Sequence, residues 1–107
     1  MKYCFLGKTG IEVSSLCMGT MTFGREADKA ASKDIFKRCR DAGINFFDCA
    51  NVYSEGRAES ILGDLITDCR NELVVNSKFG SPMGSGPNSR GGSRRHLMSS
   101  LEASLKR

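Results

Sequence analysis

Three ionisable side chains, Asp48, Tyr53 and Lys78, are of the types needed to transfer a proton to a carbonyl oxygen. A tyrosine phenol has an unperturbed pKa of about 10, and a nearby ammonium favours its phenolate and makes it a better proton donor near neutral pH. A carboxylate beside the lysine would keep that ammonium charged and fixed. Such a group suits protonation of a carbonyl oxygen while a hydride arrives at the carbon. In the alternative, purely structural interpretation, Asp48 caps a strand, Lys78 is a solvated charge and Tyr53 packs on a neighbouring ring.

Short apolar segments lead up to these residues and are typical of strands. The segments are 15–19, 44–48 and 73–78, and equivalent positions in consecutive segments lie 29 residues apart. Their apolar residues are largely continuous rather than alternating, which favours strands covered on both faces, as in parallel sheets.

Helical patterns occupy the intervals between these segments. Helices are predicted over 28–42, with Asp28 as N-cap, over 57–69, and from about Ser93 onwards, with Ser93 as N-cap. Prolines and glycines make 80–92 a long loop. The faces predicted to be apolar comprise Ile35, Phe36, Cys39 and Ala42; Ala58, Ile61, Leu62, Leu65, Ile66 and Cys69; and Leu97, Met98, Leu101 and Leu105.

The front of the chain differs from this alternation. Residues 2–6 and 11–14 flank a Gly-Lys-Thr-Gly turn and predict a β-hairpin. Strictly alternating strands and helices then imply parallel strands with right-handed crossovers, in an open doubly wound sheet or in part of a (β/α)8 barrel. No glycine-rich dinucleotide turn follows any of the strands, which argues against the open sheet.

Ligand sites in either parallel architecture lie at the carboxyl ends of the strands. The first predicted strand ends in Gly19, Thr20 and Met21, the second ends in Asp48 and is followed by Tyr53, and the third ends in Lys78. Polar or ionisable residues therefore finish each apolar strand on the side where a site would form.

The composition is that of an ordinary globular domain, with 39% hydrophobic and 26% charged residues. No apolar run approaches the roughly 20 residues of a membrane-spanning helix, and no signal peptide is evident, so a cytoplasmic protein that does not bind membranes is predicted. The five cysteines form no C-x-x-C pair and are predicted to be reduced and buried. The single histidine, His96, has no clustered ligands, so no metal site is predicted.

The formal charge of +4 is unevenly distributed. Residues 1–78 hold equal numbers of basic and acidic side chains, so the excess lies in residues 79–107. No aromatic residue interleaves with that basic run, so nucleic-acid binding is not predicted. The excess indicates either a solvated surface or an anion site near Arg94 and Arg95. His96, in the first turn of the third helix, is predicted to lie on the surface.

A set of collinear motifs resembles the N-terminal part of the aldo-keto reductase family, especially the branch of bacterial oxidoreductases and potassium-channel β-subunits. The resemblance implies a (β/α)8 barrel with the hairpin plugging its bottom, and NADPH-dependent reduction of a small carbonyl substrate at its top. The motifs are Leu6-Gly7-Lys8-Thr9-Gly10, Met18-Gly19-Thr20-Met21-Thr22-Phe23-Gly24, Asp41-Ala42-Gly43-Ile44-Asn45-Phe46-Phe47-Asp48, Ala50, Tyr53, Glu59, Leu62-Gly63, Ser77-Lys78-Phe79-Gly80 and Gly86-Pro87-Asn88.

The same resemblance implies roles for individual residues. Tyr53 resembles the proton donor, with Asp48 and Lys78 as the residues that tune it. Gly19, Thr20 and Met21, with Asp48 close by, resemble residues that line the nicotinamide-ribose end of the cofactor site. The family's fourth catalytic residue, a His after the fourth strand, has no counterpart, and His96 does not replace it. Cys49 stands where the family commonly has Thr.

The length of 107 residues accommodates a hairpin (2–14) and three strand–helix units (15–107) of a partial barrel, whereas a complete barrel needs about 250 residues. We therefore expect an N-terminal fragment that is inactive alone, that exposes sheet edges, and that self-associates or pairs with the missing C-terminal half. Two alternatives stay open. One is a non-enzymatic binding or regulatory module that pairs with another chain, and the other is an unrelated flavodoxin-like domain.

Overall fold

The computed structural model describes residues 1–107 and contains two small sheets. An antiparallel hairpin joins β1 (Tyr3–Phe5) to β2 (Glu12–Ser14). A parallel sheet follows in the order β3 (Met18–Gly19), β4 (Phe46–Asp48) and β5 (Val74–Asn76). The hairpin and the parallel strand–helix order agree with the sequence prediction.

Three helices connect or follow the parallel strands: α1 (Lys29–Asp41), α2 (Arg57–Ile66) and α3 (Arg94–Lys106). Both predicted N-caps are confirmed, because Asp28 accepts a hydrogen bond from the Ala31 amide and Ser93 accepts one from the His96 amide. None of the helices has the length and apolarity needed to cross a membrane.

The parallel strands are shorter than predicted. Of segment 15–19 only Met18 and Gly19 pair with β4, because Ser15 donates its amide hydrogen to Lys2 next to the hairpin and Leu16 is exposed. Residues 77 and 78 also lie outside the regular pairing between β4 and β5. A backbone hydrogen bond still joins this segment to the residues after β4, because the Asn51 backbone amide donates to the Lys78 carbonyl at 3.0 Å. The apolar pattern marked the strands correctly, but hydrogen bonding to neighbours set their ends.

The core lies between the parallel sheet and the first two helices. Phe47 of β4 is fully buried, and its ring packs against Phe36 of α1 with a centroid separation of 5.2 Å. Leu62 and Ile66 bury the predicted face of α2 against the same cluster. This packing holds β4 rigidly, and β4 carries Asp48 at its carboxyl end.

The surface position predicted for His96 is wrong. The buried residues of α3 are His96 and Ser100. The His96 ring packs edge-on against Phe79, and its Nδ1 donates to the Gly91 carbonyl at 2.8 Å. The predicted apolar stripe of α3 is instead exposed: Leu97, Met98, Leu101 and Leu105.

The prediction that all five cysteines are buried is also wrong in part. Cys4 and Cys17 are exposed, whereas Cys49 is buried and the other two are partly buried. Cys4 lies in β1, all three residues of which are exposed, and Cys17 precedes β3 at the open edge of the parallel sheet. Apolar context along the chain does not guarantee burial at an uncovered edge.

Candidate active site

The structure brings Asp48, Tyr53 and Lys78 together at the carboxyl ends of β4 and β5. The Lys78 ammonium lies 2.8 Å and 2.7 Å from the two carboxylate oxygens of Asp48, and 2.7 Å from the Cys49 carbonyl oxygen. Its Nζ also lies 4.9 Å from the centroid of the Tyr53 ring. The three residues that sequence reasoning singled out therefore form one contiguous cluster.

Strand register explains why Asp48 and Lys78 meet. Asp48 of β4 is the direct partner of Asn76 in β5, and Lys78 follows two residues later on the same side of the chain. The Cys49 amide donates to the Asn76 carbonyl at 2.9 Å, which continues the ladder past the end of β4. The backbone thus fixes the lysine stem beside the carboxylate.

Tyr53 is positioned by an unusual turn. It begins a short 3-10 segment, Tyr53–Gly56, in which Ser54 and Glu55 both have positive φ, at 51° and 58°. Such left-handed conformations are costly for residues other than glycine and persist where the surroundings enforce them. The buried Ser54 hydroxyl donates to the Phe23 carbonyl at 2.7 Å and ties the turn to the core.

Asp48 and Lys78 each stabilise the charged form of the other. Burial by itself raises the pKa of the Asp48 carboxyl, but hydrogen bonds from Lys78 and Asn76 and the lysine charge outweigh it and hold that pKa below its ordinary value. Burial likewise disfavours the charged Lys78 ammonium, yet interactions with Asp48 and Tyr53 raise its pKa above the ordinary value. At neutral pH the site holds a carboxylate and an ammonium.

Sequence reasoning missed Asn76, which contacts the site directly. Its Nδ2 donates a hydrogen bond of 2.6 Å to Asp48 Oδ1, the oxygen that Lys78 also contacts. A signal was available, because Asn76 lies two residues before Lys78 and alternate residues of a strand share a face. A polar residue in an otherwise apolar strand could have been assigned to the site on that ground.

The predicted cofactor residues lie beside Asp48. Gly19 pairs with Asp48 across the sheet, and a side chain built at this glycine would meet no atom within 4 Å. Met21 is exposed next to it. The Thr20 side chain is fully buried and donates its hydroxyl hydrogen to the Asp48 carbonyl at 2.9 Å. Gly19 and Met21 therefore offer an open surface, while Thr20 anchors the strand end.

Arg94 and Arg95 lie exposed in the first turn of α3. Neither forms an ion pair with a carboxylate. Positive side chains in a first turn oppose the helix dipole. An anion site at these two residues stays a prediction.

Comparison with known proteins bears on this arrangement. The model of the Aldo/keto reductase family matches residues 15–107, which hold all three parallel strands and the whole cluster. The chain belongs to the aldo/keto reductase family. Relatives and solved structures of the family add detail to this assignment.

Three relatives match the whole of this chain. A protein of Arabidopsis thaliana named as a voltage-gated potassium channel subunit beta is 45% identical over 113 residues. An uncharacterized oxidoreductase of Bacillus subtilis is 40% identical over 118 residues, and an L-glyceraldehyde 3-phosphate reductase of Escherichia coli is 37% identical over 114 residues. The matches cover 34%, 36% and 33% of these proteins, so the chain spans about a third of their length.

A solved structure described as an aldo-keto reductase from Pseudomonas aeruginosa matches the fold. It superposes with a TM-score of 0.83 at 39% identity, covering 97% of this chain and 40% of that one. This aldo-keto reductase chain therefore forms the hairpin and first three strand–helix units of a (β/α)8 barrel, as the sequence predicted.

Proposed function

We propose that these residues are the N-terminal part of an NADPH-dependent reductase that converts an aldehyde or a ketone into an alcohol. The observation that supports this proposal is the Lys78 ammonium, which is held by the Asp48 carboxylate and lies 4.9 Å from the Tyr53 ring centroid. A simple surface ion pair would not require a tyrosine to be fixed beside it by a strained turn.

In the proposed reaction, Tyr53 donates its phenolic proton to the carbonyl oxygen of the substrate. The positive charge of Lys78 stabilises the phenolate that remains. Asp48 keeps the lysine charged and in place. NADPH, when bound, supplies the hydride that reaches the carbonyl carbon.

The surface beside Asp48 fits the nicotinamide-ribose end of such a cofactor. Gly19 presents backbone without a side chain, and open space lies over it, so a flat ring could approach closely. Met21 is exposed on the same stretch and supplies an apolar contact. Thr20 contributes indirectly, because its hydroxyl holds the carbonyl at the end of β4.

A chimera tests this proposal. Residues 1–107 would replace the matching segment of the Pseudomonas aeruginosa aldo-keto reductase, and NADPH oxidation would be followed with a reactive aldehyde. We expect turnover, and we expect Tyr53→Phe to lower it about 100-fold or more, the usual contribution of a positioned proton donor. The matched control is Tyr3→Phe, which removes the other tyrosine of the chain, whose hydroxyl donates to the Gly43 carbonyl.

A folded chimera that turns over equally well with Tyr53→Phe would contradict the assigned proton donor. A folded chimera that never oxidises NADPH with any aldehyde would contradict the proposed reaction. We expect no turnover from the 107-residue chain by itself, because the resemblance places a fourth catalytic residue after a fourth strand.

We also propose a cytoplasmic location. All five cysteines are free, and thiols persist in a reducing compartment. Fractionation of cells that express the protein from its own gene would test this location.

The alternative of a module that pairs with another chain is supported by a different observation. The apolar stripe of α3 is exposed, and β3 and β5 are open sheet edges. Light scattering of the purified chain distinguishes the two proposals. A defined oligomer would favour pairing if the double variant Leu97→Ser with Leu101→Ser dissociates it. A monomer would count against pairing.

A further inference from the structure

Glu59 is a buried carboxylate that the proposed reaction does not use. It lies in the first turn of α2 and is almost inaccessible to solvent. Its Oε1 atom accepts a hydrogen bond from the Ser77 hydroxyl at 2.5 Å, and its Oε2 atom accepts one from Arg107 Nη1 at 2.6 Å. Burying a carboxylate is costly unless it is paired, so the groups that it contacts indicate what it holds in place.

Ser77 lies between the two residues that hold the Asp48 carboxylate. Asn76 precedes it and Lys78 follows it, and the side chains of both contact Asp48. Because consecutive residues of an extended chain face opposite ways, the Ser77 side chain is directed away from the site and toward α2, where it meets Glu59. The buried carboxylate is therefore bonded to the residue next to Lys78.

The backbone of residues 77 and 78 makes few hydrogen bonds of its own. β5 ends at Asn76, and neither the amide nor the carbonyl of Ser77 takes part in a backbone hydrogen bond. The Lys78 amide also makes none, and only the Lys78 carbonyl accepts one, from the Asn51 amide. The bond between Ser77 and Glu59 is therefore one of two hydrogen bonds that fix the main chain at the base of the lysine side chain.

The surroundings of Glu59 suit it to this task. α2 begins at Arg57, and a negative group in the first turn of a helix is stabilised by the helix dipole. Arg107 occupies one carboxylate oxygen and leaves the other for Ser77. A hydroxyl bonded to a charged oxygen forms a shorter and stronger hydrogen bond than one bonded to a neutral group, and the 2.5 Å distance is of this kind.

The contacts of the lysine ammonium depend on where its backbone lies. Nζ of Lys78 touches both carboxylate oxygens of Asp48 and the Cys49 carbonyl oxygen, and a shift of the main chain would disturb all three contacts together. We propose that Glu59, acting through Ser77, is a positioning residue that holds Lys78 beside Asp48. Its effect on turnover rests on the proposed function, whereas its effect on the geometry of the ion pair does not.

The titration of Asp48 in the 107-residue chain tests the geometry without any turnover. Ser77→Ala removes the hydroxyl at an exposed position, so Lys78 should be held less firmly and the pKa of the Asp48 carboxyl should rise toward its ordinary value. Carboxyl-carbon NMR measures this shift. Ser77→Thr keeps a hydroxyl and should retain the wild-type titration. The matched control is Ser60→Ala, because that hydroxyl bonds to the Gly56 carbonyl instead.

The chimera with the Pseudomonas aeruginosa reductase tests the effect on turnover. Ser77→Ala should lower kcat and kcat/KM by the same factor of about five, the value expected for one hydrogen bond that supports the transition state. Glu59→Gln loses the charge but keeps an oxygen that can accept from Ser77, so it should lower kcat by no more than Ser77→Ala does. In the double variant, Glu59→Gln should have no further effect on kcat, because Glu59 acts through Ser77.

Three results would overturn the proposal. One is an Asp48 titration that Ser77→Ala leaves unchanged, another is an active chimera whose kcat Ser77→Ala leaves unchanged, and the third is a double variant in which the two losses of kcat multiply. A chimera that is inactive before any substitution would instead contradict the proposed function, and the Asp48 titration would then decide the positioning by itself.

Discussion

Asn76 donates a hydrogen bond of 2.6 Å to the same carboxylate oxygen of Asp48 that the Lys78 ammonium contacts at 2.8 Å. The carboxylate is therefore held by residue 76, at the end of β5, and by residue 78, two residues after that strand. This arrangement fixes its orientation and favours its charged form. The candidate active site thus includes a fourth residue that holds the carboxylate in position.

Replacing Asn76 should change the titration of its neighbour. Asn76→Ala removes a hydrogen bond to the carboxylate, so we expect the pKa of Asp48 to rise toward its ordinary value. Carboxyl-carbon NMR across a pH titration measures this shift. Asn71→Ala, at an exposed position elsewhere, is the control and should leave the titration of Asp48 unchanged.

The ion pair should make stability depend on pH in two separate windows. The folded-state pKa of Asp48 is lowered, so its contribution is present above its unfolded value near 3.8 and is lost as pH falls through the folded value. The pKa of Lys78 is raised, so its contribution is present below 10.5 and is lost as pH rises through its higher folded value.

Denaturant unfolding of the wild type and of Asp48→Asn at several pH values tests the acid window. The difference in their free energy of unfolding should be largest near neutral pH and should close below pH 3.8. A difference that stays constant down to the most acidic pH would show that Asp48 contributes nothing through its charge.

The stability of the folded chain should depend on the contact of the buried Glu59 with Arg107. Glu59 is only 7% exposed, and it accepts hydrogen bonds from Arg107 at 2.6 Å and from Ser77 at 2.5 Å. Arg107→Ala leaves this carboxylate without its cation, so we expect a loss of about 2–3 kcal/mol in the free energy of unfolding. Thermal and urea unfolding measure it, with the exposed Lys106→Ala as control.

An Arg107→Ala variant as stable as the control would mean that groups other than Arg107 stabilise the buried carboxylate of Glu59. The double variant Arg107→Ala with Glu59→Gln sharpens the test. It should recover part of the loss, because a neutral amide costs less to bury than an unpaired carboxylate.

Glycine at position 55 should relieve the backbone strain in the turn after Tyr53. Glu55 is exposed with φ of 58°, so Glu55→Gly removes the strain of a left-handed side chain. We expect a gain of about 0.5–1 kcal/mol in stability, after the larger conformational entropy of unfolded glycine is subtracted. The control, Glu26→Gly, changes an exposed acid without positive φ and should destabilise the chain when both are compared by urea unfolding.

Thiol labelling should separate the cysteines into two classes. Cys4 and Cys17 are exposed and should react with a thiol reagent under native conditions, whereas the buried Cys49 should react only on unfolding. Burial also raises the pKa of the Cys49 thiol and so lowers its thiolate fraction. Mass spectrometry after a short pulse identifies the labelled residues. Equal labelling of Cys49 would indicate a loosely packed core.

Much of the fold was predictable because local physics determined it. Caps at Asp28 and Ser93 and the apolar face of α2 are properties of neighbouring residues, and all appear as predicted. The exposure of Cys17 and the burial of His96 were not predictable in this way. They depend on which elements cover them, and a periodic pattern does not contain that information.

The sequence by itself determined the order of strands and helices, and it identified Asp48, Tyr53 and Lys78 as residues suited to one reaction. Only the tertiary structure decided that Lys78 contacts both carboxylate oxygens and that Asn76 shares one of them. The physical reason is register, since pairing between β4 and β5 sets which side chains meet. Hydrogen bonds across 28 and 30 residues of chain depend on that pairing and on the packing of the sheet.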